Sequence, residues 1–147
     1  SFTEARVRIK LDNDLIQNIL NSKSSELENK SGHLKRMAKY LKQMKSHFSN
    51  QPKKFVKAFA KFAEQSLKSA ESFKSFVKLA GKKLSIEYHL RGAHISQYSL
   101  KLRPINNGED YKIEHFTGEL NGLSPLRWGS ENLSAFGLHP GLVEVSY

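Results

Sequence analysis

No cysteine occurs among the 147 residues, which removes disulfides and thiolate zinc sites from consideration. No stretch reads as a signal peptide or as the roughly 20 apolar residues that a membrane-spanning helix needs. There is no Gly-rich phosphate loop of the P-loop or dinucleotide type and no G-x-S-x-G nucleophile elbow. The six histidines show no H-E-x-x-H or comparable ligand spacing, so neither a metal nor another cofactor is expected. Acidic residues are scarce where basic ones are dense: residues 30 to 83 carry 15 Lys and Arg against 2 Glu, a local net charge of +13. The whole chain carries +10, and residues 81 to 147 balance 7 basic against 7 acidic side chains. Such a concentration favours a polyanionic partner, nucleic acid first and an anionic membrane surface or acidic protein second. A basic face that is merely solvated is the bland alternative.

What is present reads as a helical half followed by a β-rich half. Ala5 to Leu11 alternates apolar and basic residues, as in a half-buried strand with Arg6, Arg8 and Lys10 outward. Asp12, Asn13 and Asp14 offer N-cap chemistry for a short helix that carries Leu15, Ile16, Ile19 and Leu20. Leu34, Met37, Leu41, Met44 and Phe48 form the apolar stripe of a second helix. Pro52 is placed to open a third, predicted from about Lys53 to Ala80 with an apolar stripe from Phe55 to Ala80. Phe/Lys helices of this kind can also lie on anionic membranes, but an aromatic stripe at this spacing more commonly forms core. Gly81 should end that helix. Strands are expected over Leu84 to Arg91, Ile95 to Arg103 (stopping at Pro104), Tyr111 to Leu120 and Leu142 to Tyr147. Asn106-Asn107-Gly108 is a hairpin signal, and Asn121 to Gly141 reads as a long loop that Trp128 could pin. The expected class is α+β, with basic N-terminal helices packed against a small antiparallel sheet. One domain over 1–147 is expected, its first 80 residues mainly helical and basic, its remainder the candidate catalytic half. The leading Ser fits a processed or excised domain.

The nine cations Lys35, Arg36, Lys39, Lys42, Lys45, Lys53, Lys54, Lys57 and Lys61 are the candidate RNA contacts, through phosphates. For chemistry, His115 and His139 stand out, each in an unusual local pattern: Glu114-His115-Phe116-Thr117-Gly118-Glu119 and Gly137-Leu138-His139-Pro140-Gly141. Two imidazoles suffice for acid–base chemistry near neutral pH. RNA cleavage without a metal needs a base for the 2′-OH proton, an acid for the 5′-oxygen and a cation for the phosphorane. His115 and His139 can serve as base and acid in either order, with Lys112 or Arg91 for charge and Thr117 or Tyr147 to position phosphate. His94 is the reserve histidine. Taken singly, a histidine at a strand end or in a Gly/Pro turn is more commonly structural.

The same two runs resemble the two-histidine core of EndoU-type endoribonucleases, a family with many bacterial toxin domains. The resemblance covers about thirty C-terminal residues and places His115 at the first catalytic position and His139 at the second. The family also supplies a Lys and a late Thr or Tyr downstream of the second histidine. Here eight residues follow His139 with no Lys among them, so another part of the chain supplies the cation or the order of elements differs. The resemblance implies a metal-independent ribonuclease toxin used in bacterial competition, cutting RNA (tRNA among the candidates) to a 2′,3′-cyclic phosphate. It further implies action in a cytoplasm, delivery as part of a larger secreted protein, and a cognate inhibitory immunity protein, expected to be acidic. The alternative is a non-catalytic nucleic-acid-binding module in which the histidines are incidental and tyrosines such as Tyr88, Tyr98 and Tyr111 stack on bases.

Overall fold

The computed structural model describes residues 2–81, 84, 86–92, 95–105, 110–117, 128–129 and 142–147. Among them the chain runs β1 (Phe2–Lys10), α1 (Asn13–Leu20), α2 (Ser25–Glu28), α3 (His33–His47), α4 (Pro52–Ser66), α5 (Ala70–Ala80), β2 (Ile86–Gly92), β3 (Ile95–Ile105), β4 (Asp110–Thr117), β5 (Trp128–Gly129) and β6 (Leu142–Ser146). The class is α+β.

Local chemistry accounts for most of these limits. Asp12 caps α1, its carboxylate accepting from the backbone N–H groups of Asp14 and Leu15. Pro52 sits in the first turn of α4, where its missing N–H costs nothing. The single long helix expected from 53 to 80 is two helices instead. Leu67 and Lys68 close α4, and Ser69 opens α5 with a capping box shared with Ser72. Ser66 Oγ donates to the Phe62 carbonyl at 2.7 Å, and Ser72 Oγ donates to that of Ser66 at 2.9 Å. Gly81 ends α5 at φ 73°. A Cβ there would lie 3.1 Å from Asn18 Nδ2, which itself donates to the Ala80 carbonyl at 3.0 Å and ties α1 to the end of α5. Glycine is required at this position by both conformation and space.

The sheet order is β5-β4-β3-β2-β1-β6. Neighbours pair antiparallel except β1 and β6, which run parallel with Val7 opposite Val143 and Arg8 opposite Glu144. The expected purely antiparallel sheet is therefore corrected at this one pair: the closing strand adds beside the opening one, on the edge away from β2. β3 also continues through Pro104 to Ile105, beyond the predicted stop. Pro104 is paired with Tyr111, but the described β2–β3 register ends at Ile86 and Leu102. A proline without an N–H is tolerated where a strand has a neighbour on one side only. Within the expected loop, Trp128 pairs with Tyr111.

One continuous cluster of buried side chains joins the helices to the sheet. Val7, Ile9 and Ile86 come from the strands; Leu15, Ile19, Met37, Leu41, Met44, Phe55, Phe59, Phe62 and Phe76 come from the helices. Val143 and Val145 of β6 pack against its margin. The Phe-rich stripe is thus core and not a membrane face, and no described helix is long and apolar enough to cross a membrane. Phe48 departs from its predicted stripe. It follows α3, remains 40% exposed, and meets Phe55 edge-on at 5.5 Å.

Candidate nucleic-acid interface

Helices α3 and α4 form an antiparallel hairpin. His33 Nδ1 lies 3.0 Å from Gln65 Oε1 at its open end, and Phe48 meets Phe55 near its loop. Burial of the apolar stripes forces the remaining positions outward. All nine candidate cations, Lys35, Arg36, Lys39, Lys42, Lys45, Lys53, Lys54, Lys57 and Lys61, are exposed. They are not equivalent. Lys42 Nζ is 2.5 Å from Glu28 Oε1, and Lys45 Nζ donates to the Ser22 carbonyl at 2.6 Å. The hydrogen bond from Lys42 holds the Glu28 carboxyl below its ordinary value. Beside this pair an open hollow of about 720 Å³ is lined by Lys35, Arg36, Ala38, Lys39, Lys42, Gln43 and Glu28, all but Glu28 on α3.

Tyr40, which sequence reasoning did not single out, sits within this surface. Lys39 Nζ and Lys61 Nζ stand 5.5 and 5.8 Å from its ring centroid. The available signal was an aromatic beside the apolar stripe with a lysine next to it; the second lysine arrives from the other helix.

The second candidate region is the sheet face opposite the one on which the described helices pack. On it Arg6 and Arg8 reach Glu144 at 2.9 and 3.2 Å. Desolvation works to raise the Glu144 carboxyl, but the hydrogen bonds from the two arginines outweigh it and hold that group below its ordinary value. His89 Nε2 lies 2.7 Å from Glu87 Oε1. Register extends this face across the sheet. Arg8 is opposite Glu87, Glu87 opposite Lys101, and Lys101 opposite His115. The adjoining row runs Arg6, His89, Ser99 and Thr117. The β3–β4 register shifts between Lys101 and Leu102, leaving Glu114 as the extra residue of a bulge. Lys112 is then opposite Arg103. With strands about 4.8 Å apart and a rise of about 3.3 Å per residue, the His89 and His115 backbones lie roughly 12 Å apart.

The predicted catalytic set is thus partly gathered. His115, Thr117 and Lys112 share one strand at neighbouring register positions. Arg91 is on β2 opposite Glu4. Tyr147 follows β6 and is exposed. With β3, β2 and β1 between β4 and β6, it is displaced from His115 by roughly 19 Å at ordinary strand spacing. His94 and His139 lie outside the described residues, as do the side-chain surroundings of Arg91, Lys112, His115 and Thr117. Among the described residues, no three His, Asp or Glu side chains converge as metal ligands. The chain matches no protein-family model, no curated protein and no solved structure.

Proposed function

We propose that the protein is a metal-independent endoribonuclease, holding RNA on basic surfaces and cutting it on the open face of the sheet. The observation that carries this reading is register: His115 opposite Lys101, with Thr117 and His89 in the adjoining row. The chemistry needs no more than these kinds of group. A histidine takes the 2′-OH proton as that oxygen attacks phosphorus. A second histidine protonates the departing 5′-oxygen, and a lysine offsets charge on the phosphorane. The product strands end in a 2′,3′-cyclic phosphate and a 5′-hydroxyl. His115 is assigned one proton-transfer role and His139 the other; Lys101 joins Lys112 and Arg91 as a candidate cation. His89 replaces His94 as the reserve histidine, because its row adjoins that of His115. On the same reading the protein is a toxin domain acting in a cytoplasm after delivery within a larger protein, and an acidic inhibitory partner restrains it in the producing cell. The EndoU-like motifs, rather than any geometry, support those last points.

The test is incubation of the purified chain with total RNA in EDTA. Cleavage with cyclic-phosphate ends is expected, and His115→Ala and His139→Ala should each slow it by roughly 10²–10⁴-fold. Full activity in both variants refutes the assignment. A wild-type chain that binds RNA and never cuts it establishes the second reading, a non-catalytic binding module, which the nine exposed cations of α3 and α4 favour independently.

A further inference from the structure

The α3–α4 surface combines an aromatic ring with positive charge from two directions. Tyr40 packs partly against the core, so its ring is held in place. Lys39 comes from the same helix and Lys61 from its partner, both within the roughly 6 Å over which an ammonium and a ring attract each other. The ion pairs of this hairpin belong to Lys42 and Lys68. Lys39 and Lys61 are exposed, and their pairing to the ring is the weaker sort that an anion readily displaces.

A bare phosphate uses only the charge of such a site, and a duplex presents phosphates with its base faces already stacked. A nucleotide with an unpaired base uses both parts. Resting on the reading of α3 and α4 as an RNA-binding surface, we infer that Tyr40, Lys39 and Lys61 form a base-stacking subsite for single-stranded RNA. One unpaired base lies on the Tyr40 ring. Its phosphate takes the two ammoniums, which leave the ring as the base arrives. Lys39 also lines the hollow beside Lys35, Arg36 and Lys42, so the next phosphates of the strand run along α3.

The experiment measures binding of the full chain to a 2′-O-methyl single strand, which has no free 2′-OH and cannot be cleaved. An abasic sugar-phosphate strand of equal length and charge is the control. Tyr40→Phe keeps the π face and should bind both strands as the wild type does. Tyr40→Leu should lose about tenfold on the base-bearing strand, within the range for one stacked base, and less than twofold on the abasic one. Lys39→Gln with Lys61→Gln should weaken binding to both. Equal losses on both strands for Tyr40→Leu, or none on either, overturn the stacking subsite and leave the phosphate-binding reading intact. A wild-type chain that binds neither strand overturns both. If Tyr40→Leu fails to fold, cross-linking of the wild type to a 5-iodouridine strand decides: a cross-link on Tyr40 supports the inference, and cross-links confined to other residues overturn it. Binding without cleavage of ordinary RNA leaves this subsite standing and removes only the nuclease reading.

Discussion

Replacing Lys39, Lys57 and Lys61 together by Gln should weaken RNA binding in a way that salt dependence can count. Of the nine candidate cations, Lys42 is committed to Glu28 and Lys45 to the Ser22 carbonyl, which leaves seven for phosphates. A single strand following the hairpin would meet between three and seven of them. At about −0.7 per neutralised phosphate, the slope of log K against log salt should lie between about −2 and −5 for the wild type. The triple variant should lose about 2 from that slope. Lys42→Gln should change it by much less, because its ammonium already has a carboxylate. All three sites are exposed, so unfolding free energy should move by no more than about 0.5 kcal/mol per substitution. Fluorescence anisotropy with an uncleavable labelled strand, titrated from about 50 to about 300 mM salt, gives the slopes. A wild-type slope shallower than about −1, or equal effects of Lys42→Gln and Lys61→Gln, would refute the assignment of these cations to phosphate.

Two further outcomes follow from the same geometry. Phe62 is fully buried and meets Phe76 edge-on at 5.5 Å, so Phe62→Ala should cost about 3–5 kcal/mol in a denaturant titration; a cost below about 1 kcal/mol would mean that this ring chain is not the core. Glu28 has a lowered folded-state value, so its tie to Lys42 is intact above the unfolded carboxylate range and is lost as pH falls through the folded value. Glu28→Gln breaks the tie at neutral pH. It should release Lys42 for phosphate and steepen the salt slope by about 0.7, a gain that an unchanged slope would rule out.

The helical half was legible because burial there follows period 3.6. Leu34, Met37, Leu41, Met44 and the phenylalanines of α4 and α5 are buried where the stripe places them. The break at Leu67 to Ser69 was not legible from that stripe, since Leu67 continues it and is itself buried. The break is decided by three serines bonding to backbone, a competition that hydrophobic spacing does not register. The strands were legible one by one, but their order was not. Nothing in the alternation of Leu142 to Tyr147 says that it pairs parallel to the opening strand, because local pattern carries no information about which edge a strand joins. The site shows the same division. His115 was a candidate from its run of neighbours, whereas the pairing of Lys101 with His115 enters only through cross-strand register. Tyr40 was missed because its second lysine is 21 positions away in sequence, at Lys61.

The two candidate surfaces belong to different layers, and this constrains how they could cooperate. Val7 and Ile9 point into the core beneath the helices, while Arg6 and Arg8 pair with Glu144 on the other face. His115 shares its row with Arg8, and the basic hairpin belongs to the helical layer. A helix about 10 Å across on a sheet separates the two surfaces by roughly 20 Å. At about 3.4 Å per nucleotide in a stacked strand, roughly six nucleotides would cover that distance. On the proposed reading, phosphates near the cut would be met by cations of the sheet itself, for which Lys101, Arg103 and Lys112 hold neighbouring register positions, Arg6 and Arg8 being tied to Glu144. The helices would then act at a distance, raising the local concentration of RNA.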